Sequence, residues 1–418
     1  PNTGDILALA SNPMFNPNDF VPRISIKHFE ELAKDSKHPL MPRATLSTYF
    51  PASTFKLVTA LAGLKSGAID EKTIFDGAPD YKIGDRTFHT WNKAPEGPID
   101  LVTAIKRSCN TWFYQAALKT GADPITTMAS DLGFGQPTGL PLQENKGFVP
   151  TDAYFQQTQG CPIPPGILAS IAIGQITTAT PLQVAVATAA ISNGGKVLAP
   201  RLLKTREPAQ VRTDLIAKGL KPEHLDLVKR GMIESVQGDR GTGHNAMVEG
   251  VTVAGKSGTA QWVVNEDPDR SKSLAWFTGF APADNPKLVV TVVYEGSFGE
   301  HVSGGAVAAP IAKEIMEGAL KKLDKKPGST AQVLKEANDL KVFFANWKDG
   351  ALSADAVKQA NEALENLQAA LAKRGVSLDA DFAKHVGQKL STQRRRYPNP
   401  WPLGSFKPAD IIVSSDGR

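Results

Sequence analysis

The sequence has few of the features that would place it at once in a broad class of proteins. Among its 418 residues are two cysteines, Cys109 and Cys161, which are too few for a disulfide framework and do not decide the compartment. No apolar run reaches the roughly 18 residues of a membrane-spanning helix, so we expect no span within the chain. The formal net charge is only +5, without a basic stripe interleaved with aromatics, so nothing indicates nucleic-acid binding.

Two further absences concern the start of the sequence. It has neither an initiator Met nor a signal peptide, and after a turn at Pro1–Gly4 it continues into an apolar segment, residues 5–10, which predicts a strand. Because a fold seldom begins in this way, we expect further sequence before Pro1 in the full-length protein. The composition, 41% hydrophobic and 21% charged, is that of an ordinary globular protein.

Helices are predicted mainly in the middle of the chain, and a sheet from its two ends. Proline and glycine mark where the helices begin and end, as Pro51 and Gly67 do for the first long one. The predicted helices cover residues 53–66, 101–118, 182–193 and 307–323. The late strands cover residues 251–261, 274–281 and 287–294, with a turn at 284–286. This order predicts an α+β fold in which helices flank an antiparallel sheet.

A domain boundary is predicted near Lys325, where lysine, proline and glycine cluster. Residues 1–325 would form the main domain, and residues 326–418 a C-terminal extension without an assigned role. The extension combines a strongly helical segment, residues 354–374 with Ser353 as a candidate cap, and a Pro-rich stretch after Tyr397.

The first candidate catalytic motif is Ser53 with Lys56, at the start of the first long helix. Residues i and i+3 share a helix face, so both side chains would point into one cleft. A serine hydroxyl becomes a good nucleophile when a base takes its proton, and a neutral lysine amine can act as that base. Lowering a lysine pKa from about 10.4 to about 7 requires about 4 kcal/mol, which burial and a neighbouring cation can supply. Alone the motif is a weak signal, because chains of this length contain it by chance.

The second motif, Ser108 and Asn110, falls near the middle of the predicted helix 101–118. Ser108 could relay protons between Lys56 and a leaving group, and Asn110 could hydrogen-bond a substrate amide. This pair is as weak a signal as the first when it stands alone.

The third motif is the segment Lys256, Ser257, Gly258 and Thr259 in the first late strand. A glycine inside a strand usually marks the close approach of another backbone, and a substrate could add itself there as an extra strand. Lys256 would supply a fixed positive charge, and Ser257 and Thr259 hydroxyls for a carboxylate. The backbone N–H groups of Thr259 and Ser53 could form an oxyanion hole.

The three motifs, in this order, resemble the motif set of penicillin-binding proteins. Other family-like segments lie at residues 4–11, 133–139, 173–183 and 241–243. The chain resembles the transpeptidase domain of the class B penicillin-binding proteins over about residues 2–322, most closely the elongation transpeptidases. It departs from the family at Ala52 and Ile176, where glycine is usual, and at Ser257, where threonine is usual.

The resemblance implies the serine penicillin-binding/β-lactamase-like fold and the activity of a peptidoglycan D,D-transpeptidase or carboxypeptidase. Ser53 would attack the penultimate D-Ala carbonyl of a stem peptide, release D-Ala, and pass the acyl group to an amine of a neighbouring stem peptide. β-Lactams would acylate Ser53 and stay bound. The resemblance also implies work at the periplasmic face of the cytoplasmic membrane, with a SEDS-type glycan polymerase and other elongation proteins as partners.

A metal site is a weaker possibility, since some members of this subfamily carry a structural zinc. The candidate ligands are Asp76, His89, Glu96 and Cys109. However, the family's Gly-His-Gly is replaced here by Pro95–Gly97, so we expect no required cofactor and no metal site.

Two alternatives remain. The segment Ala52–Lys56 also suits a class D-type β-lactamase or β-lactam sensor, but there the second motif tends to be Ser-x-Val, not Ser-x-Asn as at residues 108–110. A catalytically inactive scaffold of the cell-wall machinery is the other alternative, and the complete motif set argues against it.

Overall fold

The chain combines buried helices with an antiparallel sheet, as predicted. The structure is a computed structural model that describes residues 1–203, 207–264 and 267–324. The helices are α1 (Ile26–Lys34), α2 (Lys56–Ser66), α3 (Leu101–Arg107), α4 (Asn110–Thr120), α5 (Ala122–Asp131), α6 (Asp152–Gln159), α7 (Pro165–Ala172), α8 (Pro181–Ser192), α9 (Pro222–Gln237) and α10 (Ala309–Asp324). The strands are β1 (Phe75–Asp76), β2 (Asp80–Ile83), β3 (Arg86–His89), β4 (Pro98–Ile99), β5 (Lys196–Leu198), β6 (Val211–Asp214), β7 (Ala254–Val264), β8 (Asp267–Ala281) and β9 (Leu288–Phe298).

The main sheet is three-stranded, antiparallel and ordered β7-β8-β9. Successive side chains of a strand point to opposite faces. Leu274 and Trp276 of β8 therefore join a core formed with the middle helices, whereas Ala275 and Phe277 join a second core with α10. Helices thus cover both faces of the sheet. Within the described residues β7 is an edge strand, paired only with β8.

Helix α2 is the centre of the larger core. Every residue from Lys56 to Leu64 is buried, so the helix has no solvent-facing stripe. It ends at Gly67 in the left-handed conformation with φ +73°, as the sequence predicts. Its start differs from the prediction, because Ser53 lies in a separate 3₁₀ turn, Ala52–Thr54, that precedes the α-helix.

The prediction of one continuous helix over residues 101–118 is wrong. Helix α3 ends at Ser108, which adopts the left-handed conformation with φ +53° and donates its N–H to the Ala104 and Ile105 carbonyls. Helix α4 then begins at Asn110. Neither glycine nor proline marks this break, so the local sequence could not reveal it.

The predicted strand at residues 5–10 is also wrong. Asp5 forms an isolated bridge with Arg201, and the main sheet consists of β7, β8 and β9. Among the described residues the sheet is therefore built from the late part of the chain and not from both ends. Leu7 is 63% exposed, so the apolar residues of this segment do not gain the burial that would stabilise a strand there.

Residues Pro1–Leu320 form one compact unit. The predicted boundary near Lys325, the extension 326–418 and its helical segment 354–374 lie outside the described residues and stay predictions. No helix in the described ranges is both long enough and apolar enough to cross a membrane.

Gly304 packs directly against the backbone of the sheet, and the stability of a Gly304 variant tests this close approach. A Cβ at Gly304 would lie 2.2 Å from the Trp276 carbonyl oxygen and 2.4 Å from the Gly258 carbonyl oxygen. Because backbone atoms cannot yield easily, Gly304→Ala should lower the free energy of unfolding by about 3 kcal/mol. Gly318 of α10 has open space around it. As the control, Gly318→Ala should raise stability by about 1 kcal/mol. Denaturant unfolding measures both, and equal stability of the two variants would contradict the close approach.

Candidate active site

Ser53 lies in a tight turn that other parts of the chain hold in place. The Ala52 N–H donates to the Gly174 carbonyl at 3.0 Å. The indole N–H of Trp276 in the sheet donates to the Phe50 carbonyl at 3.0 Å. The position of Ser53 is thus determined by contacts distant in sequence.

Two residues of this region adopt the left-handed conformation, Ala52 with φ +51° and Gly174 with φ +72°. For an L-residue with a Cβ this costs about 1–2 kcal/mol, which accounts for the usual glycine at position 52 in the family. A Cβ on Gly174 would lie 2.4 Å from the Ala52 carbonyl oxygen, so glycine is required there. Ile176, the other position where the family usually has glycine, is not left-handed and packs against the larger core.

Lys56 is fully buried directly behind this turn. Its Nζ lies 2.7 Å from the Ser108 carbonyl oxygen, 3.2 Å from Ser108 Oγ and 2.6 Å from Asn110 Oδ1. Burial lowers the pKa of Lys56 to about 7, although the nearby Cys109 acts in the opposite direction. A substantial fraction of the amine is therefore neutral at neutral pH, as a base requires.

The break between α3 and α4 supplies the hydrogen-bond acceptors for Lys56. Because the helix ends at Ser108, its carbonyl can accept from Nζ instead of from the next helical turn. The Asn110 amide is held on both sides, since Oδ1 accepts from Lys56 and Nδ2 donates to the His89 carbonyl at 3.2 Å. Both groups of the Asn110 amide thus have a partner within the protein, and the predicted contact with a substrate amide stays a prediction.

Lys256 on β7 is also fully buried, and its Nζ donates to the Ser257 carbonyl at 2.8 Å. Burial, together with the charge on Lys56, holds the pKa of Lys256 well below the ordinary lysine value. Lys256 is not among the residues that line the cavity. The amine of Lys256 thus lies behind the cavity wall, and its predicted role as a fixed charge for a substrate carboxylate stays a prediction.

A cavity of about 560 Å³ brings the three motifs together. Six of the eight predicted site residues line it, and Lys56 and Lys256 lie buried behind its wall. The six are Ser53, Ser108, Asn110, Ser257, Gly258 and Thr259.

The cavity also has polar and aromatic walls that the motifs did not include. Those residues are Trp91, Gln175, Thr242, His244, Asn245 and Ser303. Gln175 and Thr242 lie in segments that resembled the family, so a signal for them existed. Trp91 lies in the loop that carries the candidate zinc ligands His89 and Glu96, whereas Ser303 comes from a loop without a recognisable motif.

Gly258 marks the close approach of backbone from elsewhere in the chain, as the sequence predicts for a glycine inside a strand. A Cβ there would lie 3.3 Å from the Pro51 carbonyl oxygen and 3.4 Å from the Ala52 Cβ. On the same strand, Thr259 Oγ1 accepts a hydrogen bond from the Gly304 N–H at 3.1 Å. The strand β7 is thus packed tightly against the nucleophile turn.

The four candidate zinc ligands do not form a metal site. His89 pairs with Asp80 at 2.5 Å, Glu96 pairs with Arg107 at 2.7 Å, and the Cys109 thiol lies 3.3 Å from the Thr111 hydroxyl. The carboxylate of Asp76 is on an exposed residue. Over the described part of the chain no cluster of three or more His, Cys, Asp or Glu side chains could hold a metal ion. These residues do not fit a zinc ion.

The comparisons with known proteins agree with this geometry. Residues 1–317 match the family described as the penicillin binding protein transpeptidase domain. The peptidoglycan D,D-transpeptidase MrdA of Haemophilus influenzae is 38% identical over 339 residues, which cover 76% of this chain and 51% of that protein. The chain therefore spans about half the length of this relative.

Two solved structures show the same fold. PBP2 of Pseudomonas aeruginosa in complex with WCK 5153 is 36% identical, with a TM-score of 0.67 over 77% of this chain and 72% of that one. PBP2 of Helicobacter pylori in complex with MreC is 29% identical, with a TM-score of 0.66 over 76% of this chain and 58% of that one. With the family match over residues 1–317, these findings show that the chain belongs to the penicillin-binding protein transpeptidase family.

Proposed function

We propose that this chain is a peptidoglycan D,D-transpeptidase that works through a Ser53 acyl-enzyme. The observation that carries the proposal is the burial of Lys56, with a pKa of about 7, behind the cavity that Ser53 lines. Neutral Lys56 takes the Ser53 hydroxyl proton while Oγ attacks the penultimate D-Ala carbonyl of a stem peptide. The peptide C–N bond breaks and the departing D-Ala amine receives a proton through Ser108, whose Oγ lies 3.2 Å from Lys56 Nζ.

In the second half-reaction an amine of a neighbouring stem peptide attacks the acyl-enzyme. The new amide forms as the ester C–O bond to Ser53 breaks, and the proton that the amine loses passes to Ser53 Oγ, which returns to its hydroxyl form. The backbone N–H groups of Ser53 and Thr259 stabilise the oxyanion in both steps. The edge position of β7 supports the addition of an extended stem peptide as a further strand, with Ser257, Gly258 and Thr259 along it. None of these steps uses a cofactor.

The composition of the cavity favours transfer to an amine over rapid hydrolysis. No aspartate or glutamate is among the described residues that line it. In class A β-lactamases a glutamate activates the hydrolytic water. Without such a carboxylate here, a β-lactam should acylate Ser53 and leave slowly. This argues against hydrolysis of the class A kind, whereas Asn110 in the second motif, where class D enzymes tend to have Val, supports the transpeptidase over the class D-type alternative.

We also propose elongation proteins as partners and the periplasmic face of the cytoplasmic membrane as the place of action. The H. pylori relative, which was solved in complex with MreC, supports a partner of that kind. Resemblance to the elongation transpeptidases supports a SEDS-type glycan polymerase as a second partner.

The nucleophile is tested by Ser53→Ala. The variant should form no covalent adduct with benzylpenicillin in intact-protein mass spectrometry, because the attacking oxygen is absent. Its thermal unfolding midpoint should stay close to that of the wild-type chain, since one oxygen is removed from a half-buried side chain. Ser66→Ala, at the exposed end of α2, is the control and should acylate normally. A persistent adduct in Ser53→Ala would identify another nucleophile.

The base is tested by the pH dependence of acylation. A base must be unprotonated, so the rate should rise with pH through about 7 and level off above it. Below pH 7 the rate should fall about tenfold per pH unit as Lys56 becomes protonated. Stopped-flow measurement with a penicillin that does not titrate in this range provides the profile. A rate that does not change from about pH 5 to about pH 8, a range that brackets the pKa, would show that Lys56 is not the base. Normal acylation of Lys56→Gln would show the same.

The fate of the acyl-enzyme separates the two enzyme classes. We expect the penicilloyl adduct on Ser53 to persist for minutes or longer, because the described residues that line the cavity include no carboxylate to activate water. With a stem-peptide donor, the acyl group should be transferred to a labelled D-amino acid added as acceptor. The label should then appear in the peptide product. Turnover of penicillin many times per second would contradict the transpeptidase proposal and favour a β-lactamase.

A further inference from the structure

Arg107 is a buried cation that the mechanism above does not use. Its side chain is 10% exposed and lies at the last position of α3, directly before the Ser108 break. Its Nη2 and Nε lie 2.7 and 2.8 Å from the same carboxylate oxygen, Oε1 of Glu96. The side chain of Glu96 is itself only 8% exposed. A buried pair with this many hydrogen bonds is costly to break, since either partner alone would leave an uncompensated charge.

Glu96 is held charged by its neighbours. Burial alone would raise the pKa of Glu96, but hydrogen bonds from Arg107 and Asn92, with the charge of Arg107, hold it below the ordinary value. The Asn92 amide donates to Oε1 at 3.0 Å. The loop that carries residues 92–96 is thereby attached to the end of α3.

Arg107 also contacts Trp91 in two ways. The guanidinium carbon lies 5.5 Å from the centroid of the Trp91 ring, a cation–π arrangement. The indole N–H donates to the Arg107 carbonyl at 3.0 Å. Trp91 lines the catalytic cavity and is 57% exposed, so one arginine holds an otherwise open aromatic ring in a fixed orientation.

The opposite side of Arg107 reaches a second segment of the cavity wall. Its Nη1 donates to the Arg240 carbonyl. Arg240 adopts the left-handed conformation with φ +57°, and the next residues, Gly241 and Thr242, line the cavity. The Thr242 N–H in turn donates to the Lys106 carbonyl at 3.2 Å. Two wall segments from distant parts of the sequence are thus both joined to the end of α3.

We propose that Arg107 is a positioning residue of the acyl-transfer site, which acts with Glu96 to hold Trp91 as an aromatic wall for the acyl donor. The proposal rests on the proposed function, because the donor is the stem peptide or β-lactam that acylates Ser53. Trp91 contacts the apolar part of the donor, and Arg107 acts through it. Glu96 was one of the candidate zinc ligands, and here its ion pair with Arg107 links the loop to the helix.

A double-mutant cycle tests whether Arg107 acts through Trp91. The second-order rate constant of acylation by a fluorescent penicillin with an aromatic side chain is measured for Arg107→Gln, Trp91→Ala and the double variant. We expect each single change to lower the rate constant about tenfold, mainly through weaker non-covalent binding before acylation. The double variant should be no slower than the slower single variant, because both changes remove the same contact.

A matched control separates positioning from general loss of charge or stability. Arg230→Gln removes an arginine whose partner, Glu71, is 68% exposed, and it should acylate at the wild-type rate. If Arg107→Gln does not fold, Glu96→Gln replaces it in the cycle with Trp91→Ala, whose exposed ring is not needed for folding. In that cycle too, the double variant should match the slower single variant.

Two results would overturn the inference. In the first, the double variant loses the product of the two single-variant losses in the acylation rate constant. In the second, Trp91→Ala binds the penicillin non-covalently as tightly as the wild-type chain does. If either result is found while the wild-type chain acylates normally, the proposed function stands. A wild-type chain that forms no adduct would overturn the proposed function, and this inference with it.

Discussion

The burial of the Lys56 amine is the constraint on which the rest of the site depends. Holding a lysine with a pKa of about 7 costs the folded protein about 4 kcal/mol at neutral pH, relative to a lysine in water. Between about pH 7 and the ordinary lysine pKa the unfolded chain binds the additional proton, so this cost shrinks and stability rises as pH increases. The protein must offset this penalty with packing and hydrogen bonds elsewhere.

The surroundings of α2 show how the penalty is offset. The helix is apolar on all sides and buried from Lys56 to Leu64, so it contributes a large hydrophobic term. The polar end of Lys56 is satisfied by three acceptor atoms, two of them on Ser108 and one on Asn110. Those acceptors exist in this geometry only because the helix breaks at Ser108. The break, which is unfavourable locally, is therefore stabilised by the lysine.

This coupling explains which parts of the site could be predicted from the sequence. Ser53, Lys56 and the strand with Gly258 follow short-range rules: a three-residue spacing near a helix start, and a glycine in an edge strand. The break at Ser108 depends on a hydrogen bond to a side chain 52 residues earlier, so no local pattern marks it. The strand prediction for residues 5–10 is wrong for the same reason. Whether this segment forms a strand depends on a pairing strand elsewhere in the chain, which the local sequence does not show.

Ala52 and Gly258 show a compensation at a single contact. Left-handed Ala52 carries about 1–2 kcal/mol of backbone strain that glycine would not. Its methyl group, however, is 1% exposed and fills space beside β7, where a Cβ on Gly258 would lie 3.4 Å away. A burial of this size recovers roughly 1 kcal/mol. The 3.4 Å distance is an ordinary contact, but the same Cβ would lie 3.3 Å from the Pro51 carbonyl oxygen, which is tight, so a larger residue at position 258 would push the nucleophile turn away from the strand on which the substrate is expected to lie.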